Sequence, residues 1–136
     1  STLLSKPSVH QALLKVDNNV LKLDAGTQGT FYMINRPVKK ILLAEVIDQL
    51  CAFKGNITIQ TLFLRGMVNG QPVDNTTKTE VDAWLGHLQR IQPKLVMLYP
   101  IDRRTPVETL EKTTLDELDI IAEQVRGIGL KAEVYF

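Results

Sequence analysis

The chain has 136 residues, of which 44% are apolar and 23% are charged, so it is long enough to bury a core without disulfides. A formal net charge of +1 gives no electrostatic reason to expect a nucleic acid or a membrane surface as a partner. The single cysteine, Cys51, excludes an internal disulfide and a metal site built from several cysteines. We predict one cytoplasmic domain over residues 1–136. Because no initiating Met is present, we expect residue 1 not to be the natural start.

Helical and extended apolar patterns alternate along the chain. In chain order we predict helices over residues 7–15, 27–35, 38–53, 77–91 and 114–128. We predict strands over residues 20–24, 56–64, 95–99 and 131–135. Residues 65–76 and 100–113 have the composition of loops.

Two pairs of residues have the spacing of a capping box, in which a Thr and a Glu three residues later satisfy each other's backbone at a helix start. They are Thr77 with Glu80 and Thr114 with Glu117. Residues 95–99 form a nearly continuous apolar run, so we expect that strand to be buried on both faces.

This order of elements is typical of right-handed β-α-β crossovers, and it predicts an α/β fold with a parallel sheet of about four strands. A complete eight-stranded barrel needs roughly 200 residues or more. The predicted sheet is therefore either open or part of a barrel whose other strands lie elsewhere.

Polar side chains alternate with apolar ones along the first two predicted strands. Lys22 and Asp24 share one side of the first strand, and Thr58 and Gln60 share one side of the second. In a parallel barrel alternate side chains face the lumen, so these four are expected to form a polar pocket for a small ligand. The alternatives are structural: Asp24 caps the next helix or pairs with Lys22, and the other two bond to each other or to water.

Basic residues near the strand ends suggest further chemistry. Arg65 and Arg103 follow strands, and guanidinium groups there could hold a carboxylate or a phosphate by paired hydrogen bonds. Solvated arginines on loops are the alternative. Lys22 could instead form a Schiff base, as in an aldolase-like barrel, which requires an amine in a dry site.

Three blocks of the sequence resemble the second half of a radical S-adenosylmethionine (radical SAM) barrel. They are residues 23–26 (LDAG) with 35–37 (NRP), residues 57–66 (ITIQTLFLRG) and residues 99–106 (YPIDRRTP). The chain resembles above all the bacterial and archaeal iron–sulfur oxidoreductases related to wybutosine-type tRNA-modifying enzymes. The resemblance implies a fragment of a (β/α) partial TIM barrel.

In that family a reduced [4Fe-4S] cluster, held by a CxxxCxxC loop, cleaves S-adenosylmethionine to a 5′-deoxyadenosyl radical. This chain lacks that loop. The resemblance thus implies the carboxyl-terminal portion of a radical SAM core: the full-length parent would be an enzyme, and the isolated chain would bind no cluster and be inactive. It implies that Asp24, Gln60 and Arg65 contact the cofactor. It also implies that Arg103 contacts the substrate, which the sequence does not identify.

A partial barrel exposes strand edges, which pair readily with another chain. We therefore expect self-association, or terminal segments that wrap over the gap. The partner we expect otherwise is a small-molecule cofactor, with neither a membrane nor a nucleic acid indicated. A third hypothesis is a non-enzymatic α/β module that binds a ligand or a protein through the loops after its strands.

Overall fold

The computed structural model describes residues 19–35, 41–68, 70–101 and 109–136. Arg103 and the predicted helix over residues 7–15 lie outside these ranges. The strands are β1 (Val20–Lys22), β2 (Thr58–Val68), β3 (Gln71–Asp74), β4 (Leu95–Pro100), β5 (Thr109–Lys112) and β6 (Ala132–Val134). The helices are α1 (Gln28–Asn35), α2 (Leu43–Cys51), α3 (Lys78–Ile91) and α4 (Leu115–Gly127).

Four parallel strands form the main sheet, in the order β1-β2-β4-β6. Helices occupy each connection between them, as the alternating pattern predicts. Strands β1 and β6 lie at the two edges and do not pair with each other, so the described part of the sheet is open. The predicted α/β fold is confirmed, and the open sheet agrees with a partial barrel.

Strand β2 is longer than predicted because it takes part in two kinds of pairing. Its first six residues pair in parallel with β4, and its later residues pair antiparallel with β3 and β5. Gly70, with φ of +76°, lies in the turn between β2 and β3. The predictions of loops over residues 65–76 and 100–113 were therefore partly wrong. The sequence signal was weak, since β3 contains Pro72, which cannot donate to a strand ladder.

Helix α2 starts later than its apolar pattern suggested. Leu42 is extended, with φ of −89° and ψ of 138°, and the helix begins at Leu43. The side chain of Gln28 accepts a hydrogen bond from the Leu43 N–H at 2.7 Å. A first-turn donor with no partner within the helix is thereby satisfied from α1.

The hydrophobic core lies between the helices and one face of the main sheet. Its fully or nearly fully buried members include Leu23, Ile59, Phe63, Val96 and Leu98 from the sheet region, and Leu50, Leu88 and Val125 from the helices. Each such side chain contributes about 1.5–3 kcal/mol through burial. Strand β4 was expected to be buried on both faces, and this was wrong: alternate residues of β4 are only half-buried. In the described chain, the main core covers one face of that strand.

The two predicted capping boxes differ in outcome. At α4 the box is complete: the Glu117 N–H donates to Thr114 Oγ1 and the Thr114 N–H donates to Glu117 Oε1, both at 3.1 Å. At α3 Thr77 accepts from the Glu80 N–H at 3.2 Å, but the Glu80 carboxylate bonds to another element instead. The capping box of Thr77 and Glu80 is therefore only half formed.

Candidate functional site

Asp24 follows β1 at the carboxyl end of the parallel sheet and is only 5% exposed. Its Oδ1 accepts a hydrogen bond from the Leu62 N–H at 2.8 Å, and its Oδ2 lies 3.8 Å from Lys22 Nζ. Burial raises the pKa of Asp24, while the hydrogen bond from Leu62 and the charge of Lys22 act in the opposite direction. Asp24 is thus a buried carboxyl group at the edge where parallel sheets bind their ligands.

The register of the sheet brings three of the predicted polar residues onto one face. Val20 pairs with Thr58, and Lys22 pairs with Gln60. Paired residues of a parallel sheet point to the same side, and alternate residues of a strand share that side. We call this side the second face; it carries Lys22, Thr58, Gln60, Met97, Tyr99 and Glu133. None of these residues belongs to the main hydrophobic core.

Lys22 has the wrong surroundings for a Schiff-base lysine. Its side chain is 61% exposed and its nearest charged group is the Asp24 carboxylate. A nucleophilic lysine needs a desolvated amine at neutral pH. The ion pair, which the sequence left open as the structural alternative, describes Lys22 better than the aldolase-like reading.

Asn75 joins the end of β1 to β2, a role that the sequence did not predict. The residue is 3% exposed, and its Oδ1 accepts from the Leu64 N–H at 2.8 Å. Its Nδ2 donates to the carbonyl oxygens of Asp24 at 2.9 Å and Leu62 at 2.7 Å. Beyond the end of β1, the Asn75 side chain therefore forms the hydrogen bonds to β2 that a longer β1 strand would otherwise form. Asn in a loop before a helix is too common to signal this.

Gly26 of the LDAG block allows α3 to approach the loop after β1. A Cβ atom at Gly26 would lie 2.2 Å from the Glu80 carbonyl oxygen and 2.8 Å from the main-chain nitrogen of Trp84. His87 adds a tie to the same place, since its Nε2 lies 2.8 Å from the Gly26 carbonyl oxygen and donates to it. The glycine is needed here for close packing against a helix.

Arg65 is engaged with two carboxylates of the chain itself. Its Nη2 donates to Glu117 Oε1 at 2.8 Å, its Nη1 donates to Glu117 Oε2, and its Nε donates to Glu111 Oε2 at 3.2 Å. Its hydrogen bonds are the main cause that lowers the pKa of Glu117 to about 2. Arg65 also lies five residues beyond Gln60, about 16 Å along β2 at 3.3 Å per residue. The structure does not bring it together with Asp24 and Gln60.

The described residues do not fit an iron–sulfur cluster. Cys51, the only cysteine, ends α2 and is half-buried. Within the described ranges no group of three or more His, Cys, Asp or Glu side chains is arranged to hold a metal ion. A [4Fe-4S] cluster is held by cysteine thiolates, so this chain does not supply its ligands.

In the described part of the chain, no helix is long and apolar enough to cross a bilayer.

Comparison with known sequences finds a distant relative. No family model matches the chain. A protein named GTPase Obg, from Brachyspira hyodysenteriae, is 28% identical over 122 residues. The match covers 87% of this chain but only 17% of that protein.

Comparison with solved structures identifies the class of fold. A radical SAM methyltransferase from Sphaerobacter thermophilus aligns with a TM-score of 0.69 at 14% identity, covering 94% of this chain and 37% of that one. A domain of pyruvate-formate lyase-activating enzyme from Bacteroides vulgatus aligns with a TM-score of 0.75 at 11% identity, covering 99% of this chain and 78% of that one. The chain therefore has the fold of part of a radical SAM domain, as the three sequence blocks suggested.

Proposed function

We propose that the chain is the carboxyl-terminal portion of a radical SAM core and that its second face binds S-adenosylmethionine. The observation that carries the proposal is the placement of Lys22, Asp24 and Gln60. Lys22 ends β1, Asp24 follows it, and Gln60 pairs with Lys22 on the neighbouring strand β2; none of the three belongs to the main hydrophobic core. Ligands of parallel α/β sheets bind at the carboxyl ends of the strands.

The residues of this site suit polar recognition of a cofactor. The Leu62 N–H holds the Asp24 carboxyl group in place, so this group can accept a hydrogen bond from a ligand hydroxyl without reorganising. Gln60 offers an amide donor and a carbonyl acceptor on the adjacent strand. S-Adenosylmethionine, together with a reduced cluster, supplies radical chemistry. The role of this chain is to bind and orient the cofactor.

The cluster ligands are the part of the proposal that the chain cannot supply. With one cysteine, the isolated chain is expected to form no [4Fe-4S] cluster and to leave S-adenosylmethionine intact. Anaerobic reconstitution with iron and sulfide, followed by assay for 5′-deoxyadenosine, tests this. A stoichiometric cluster or product formation by the chain alone would contradict it.

Titration calorimetry with S-adenosylmethionine tests the binding site. We expect binding by the unmodified chain and a loss of roughly tenfold in Gln60→Ala, the cost of about one hydrogen bond to a charged or strongly polar group. The matched control is Gln124→Ala on the exposed side of α4. Equal affinities of the two variants would overturn the assignment of Gln60.

We also propose self-association through the edges of the sheet. Among the described strands, β1 pairs only with β2 and β6 pairs only with β4. An unpaired edge is a template for a strand of another chain. Sedimentation velocity at increasing concentration is expected to show a growing fraction of dimer, and a monomer at every concentration would contradict the proposal.

The non-enzymatic alternative, an α/β module that binds a ligand or a partner through the loops after its strands, remains a second proposal. GTPase activity, named for the Brachyspira protein, is not proposed for this chain, because the sequence lacks the glycine-lysine phosphate loop of such enzymes. A ligand-binding module without radical chemistry would bind at the same strand ends. It is favoured if the chain binds S-adenosylhomocysteine and S-adenosylmethionine with equal affinity, and if the full-length protein contains no cluster-binding loop.

A further inference from the structure

A cavity lies between the starts of α1 and α3 and beside β3, and its lining is separate from the second face. Its volume is about 470 Å³, within the range of small-molecule sites. The residues that matter for its chemistry are Thr27, Thr30, Met33, Asp74, Thr79 and Glu80. Lys22, Thr58 and Gln60 do not line it.

Glu80 is the unusual group in this cavity. The residue is 5% exposed, and its Oε1 accepts a hydrogen bond from Thr27 Oγ1 at 3.0 Å. Its Oε2 is buried and has no hydrogen-bond partner in the described part of the chain. A buried carboxylate oxygen without a donor is unfavourable. The terminal torsion of a Glu side chain is soft, so the carboxylate can turn either oxygen toward the cavity.

Charge decides which ligands fit. The carboxylates of Asp74 and Glu80 disfavour an anion. The amino-terminal ends of α1 and α3, which carry partial positive charge, border the cavity and disfavour a cation. Ligands that satisfy both conditions are neutral and carry hydroxyl donors.

The remaining lining groups match such a ligand. Threonine hydroxyls can both donate and accept hydrogen bonds, as the hydroxyls of a polyol do. Met33 and Val73 offer apolar contact for its C–H groups. We infer that the cavity binds a neutral polyhydroxylated small molecule, with one ligand hydroxyl donating to Glu80. This inference is independent of cofactor binding on the second face.

D-Ribose is the probe for the test, titrated into the full ¹⁵N-labelled chain. Saturable shifts are expected at the amides of Thr27, Thr30, Thr79 and Glu80. Methylammonium and inorganic phosphate, tested in the same way, are expected to leave these amides unchanged. No ribose shifts at the cavity, or a saturable response to either ion, would overturn the inference.

Variants of the cavity make the test specific. Glu80→Gln exchanges an acceptor for a donor and is expected to weaken ribose binding roughly tenfold or more. Thr79→Val removes one hydroxyl at nearly constant shape, and serves if Glu80→Gln does not fold. The matched control, Gln124→Ala on the exposed side of α4, changes no residue that lines the cavity and is expected to bind ribose as the unmodified chain does. Unchanged binding by a folded Glu80→Gln, or by Thr79→Val where Glu80→Gln does not fold, would contradict the assignment.

Discussion

The Asn75 side chain donates a hydrogen bond to the main-chain carbonyl of Asp24 at 2.9 Å, and so joins the end of β1 to the strand beside it. The same side chain bonds two backbone groups of β2, at Leu62 and Leu64. β1 ends at Lys22, whereas β2 continues to Val68. Asn75 therefore holds the region that positions the Asp24 carboxyl group.

Replacing Asn75 is expected to lower the free energy of unfolding. Asn75→Ala removes this partner from three backbone groups that are buried or partly buried, and the expected loss is about 2–4 kcal/mol. Urea denaturation measures it, with the exposed variant Gln124→Ala as the control, expected within about 0.5 kcal/mol of the unmodified chain. A loss below about 1 kcal/mol in Asn75→Ala would show that the bridge is not structural.

Two glycines provide a matched test of close packing. Gly26→Ala places a methyl group 2.2 Å from the Glu80 carbonyl oxygen, and the strain is expected to cost about 1–3 kcal/mol. Gly29→Ala meets nothing within 4 Å and is expected to be neutral or to stabilise by about 0.4–1 kcal/mol. Thermal unfolding of both variants measures the difference. Equal stabilities would mean that α3 does not pack on Gly26 as described.

The ion pair of Glu117 predicts a dependence of stability on pH. Its folded pKa of about 2 is below the ordinary glutamate value of 4.5, so its contribution is present above about pH 4.5 and is lost as the pH falls toward 2. The Glu117 side chain is 34% exposed, so solvent screening limits the pair to about 1 kcal/mol or less. The free energies of unfolding of Glu117→Gln and of the unmodified chain, measured by chemical denaturation, are expected to differ at pH 7 and to converge as the pH approaches 2. A constant difference across that range would contradict this assignment.

Asp24 should behave in the opposite direction. Its folded pKa is raised, chiefly by burial, so its protonation stabilises the fold at low pH and this contribution is lost as the pH rises through the folded pKa. Asp24→Asn keeps an oxygen for the Leu62 N–H and removes the buried charge. It is expected to be as stable as the unmodified chain or more stable at pH 7, with the gap shrinking in acid. A clear destabilisation by Asp24→Asn at pH 7 would show that the ionised carboxylate is needed for folding.

The sequence predicted the parallel sheet because apolar periodicity and residue alternation are local signals. The polar set on β1 and β2 shares one face because strands alternate with a period of two, and the register then aligns Lys22 with Gln60. Strands β3 and β5 could not be predicted in this way. Both are short, and they are defined by pairing with the extension of β2.

The details of the sites depend on contacts between residues distant in sequence. Arg65 was expected at the cofactor, but Glu117, 52 residues later, binds its guanidinium group. Glu80 was expected to close a capping box, but its carboxylate bonds to Thr27, 53 residues earlier. Local spacing identifies candidate residues, whereas tertiary packing decides the partner of each side chain.

We propose that S-adenosylmethionine binds where β1 ends beside β2, next to the paired residues Lys22 and Gln60, and a chemical-shift map tests this most directly. Titration of the ¹⁵N-labelled chain with S-adenosylmethionine is predicted to shift the amides of residues 22–24 and 60–62 together, with one affinity. Shifts confined to the outer surfaces of α3 and α4, or no saturable shift at any concentration, would contradict it.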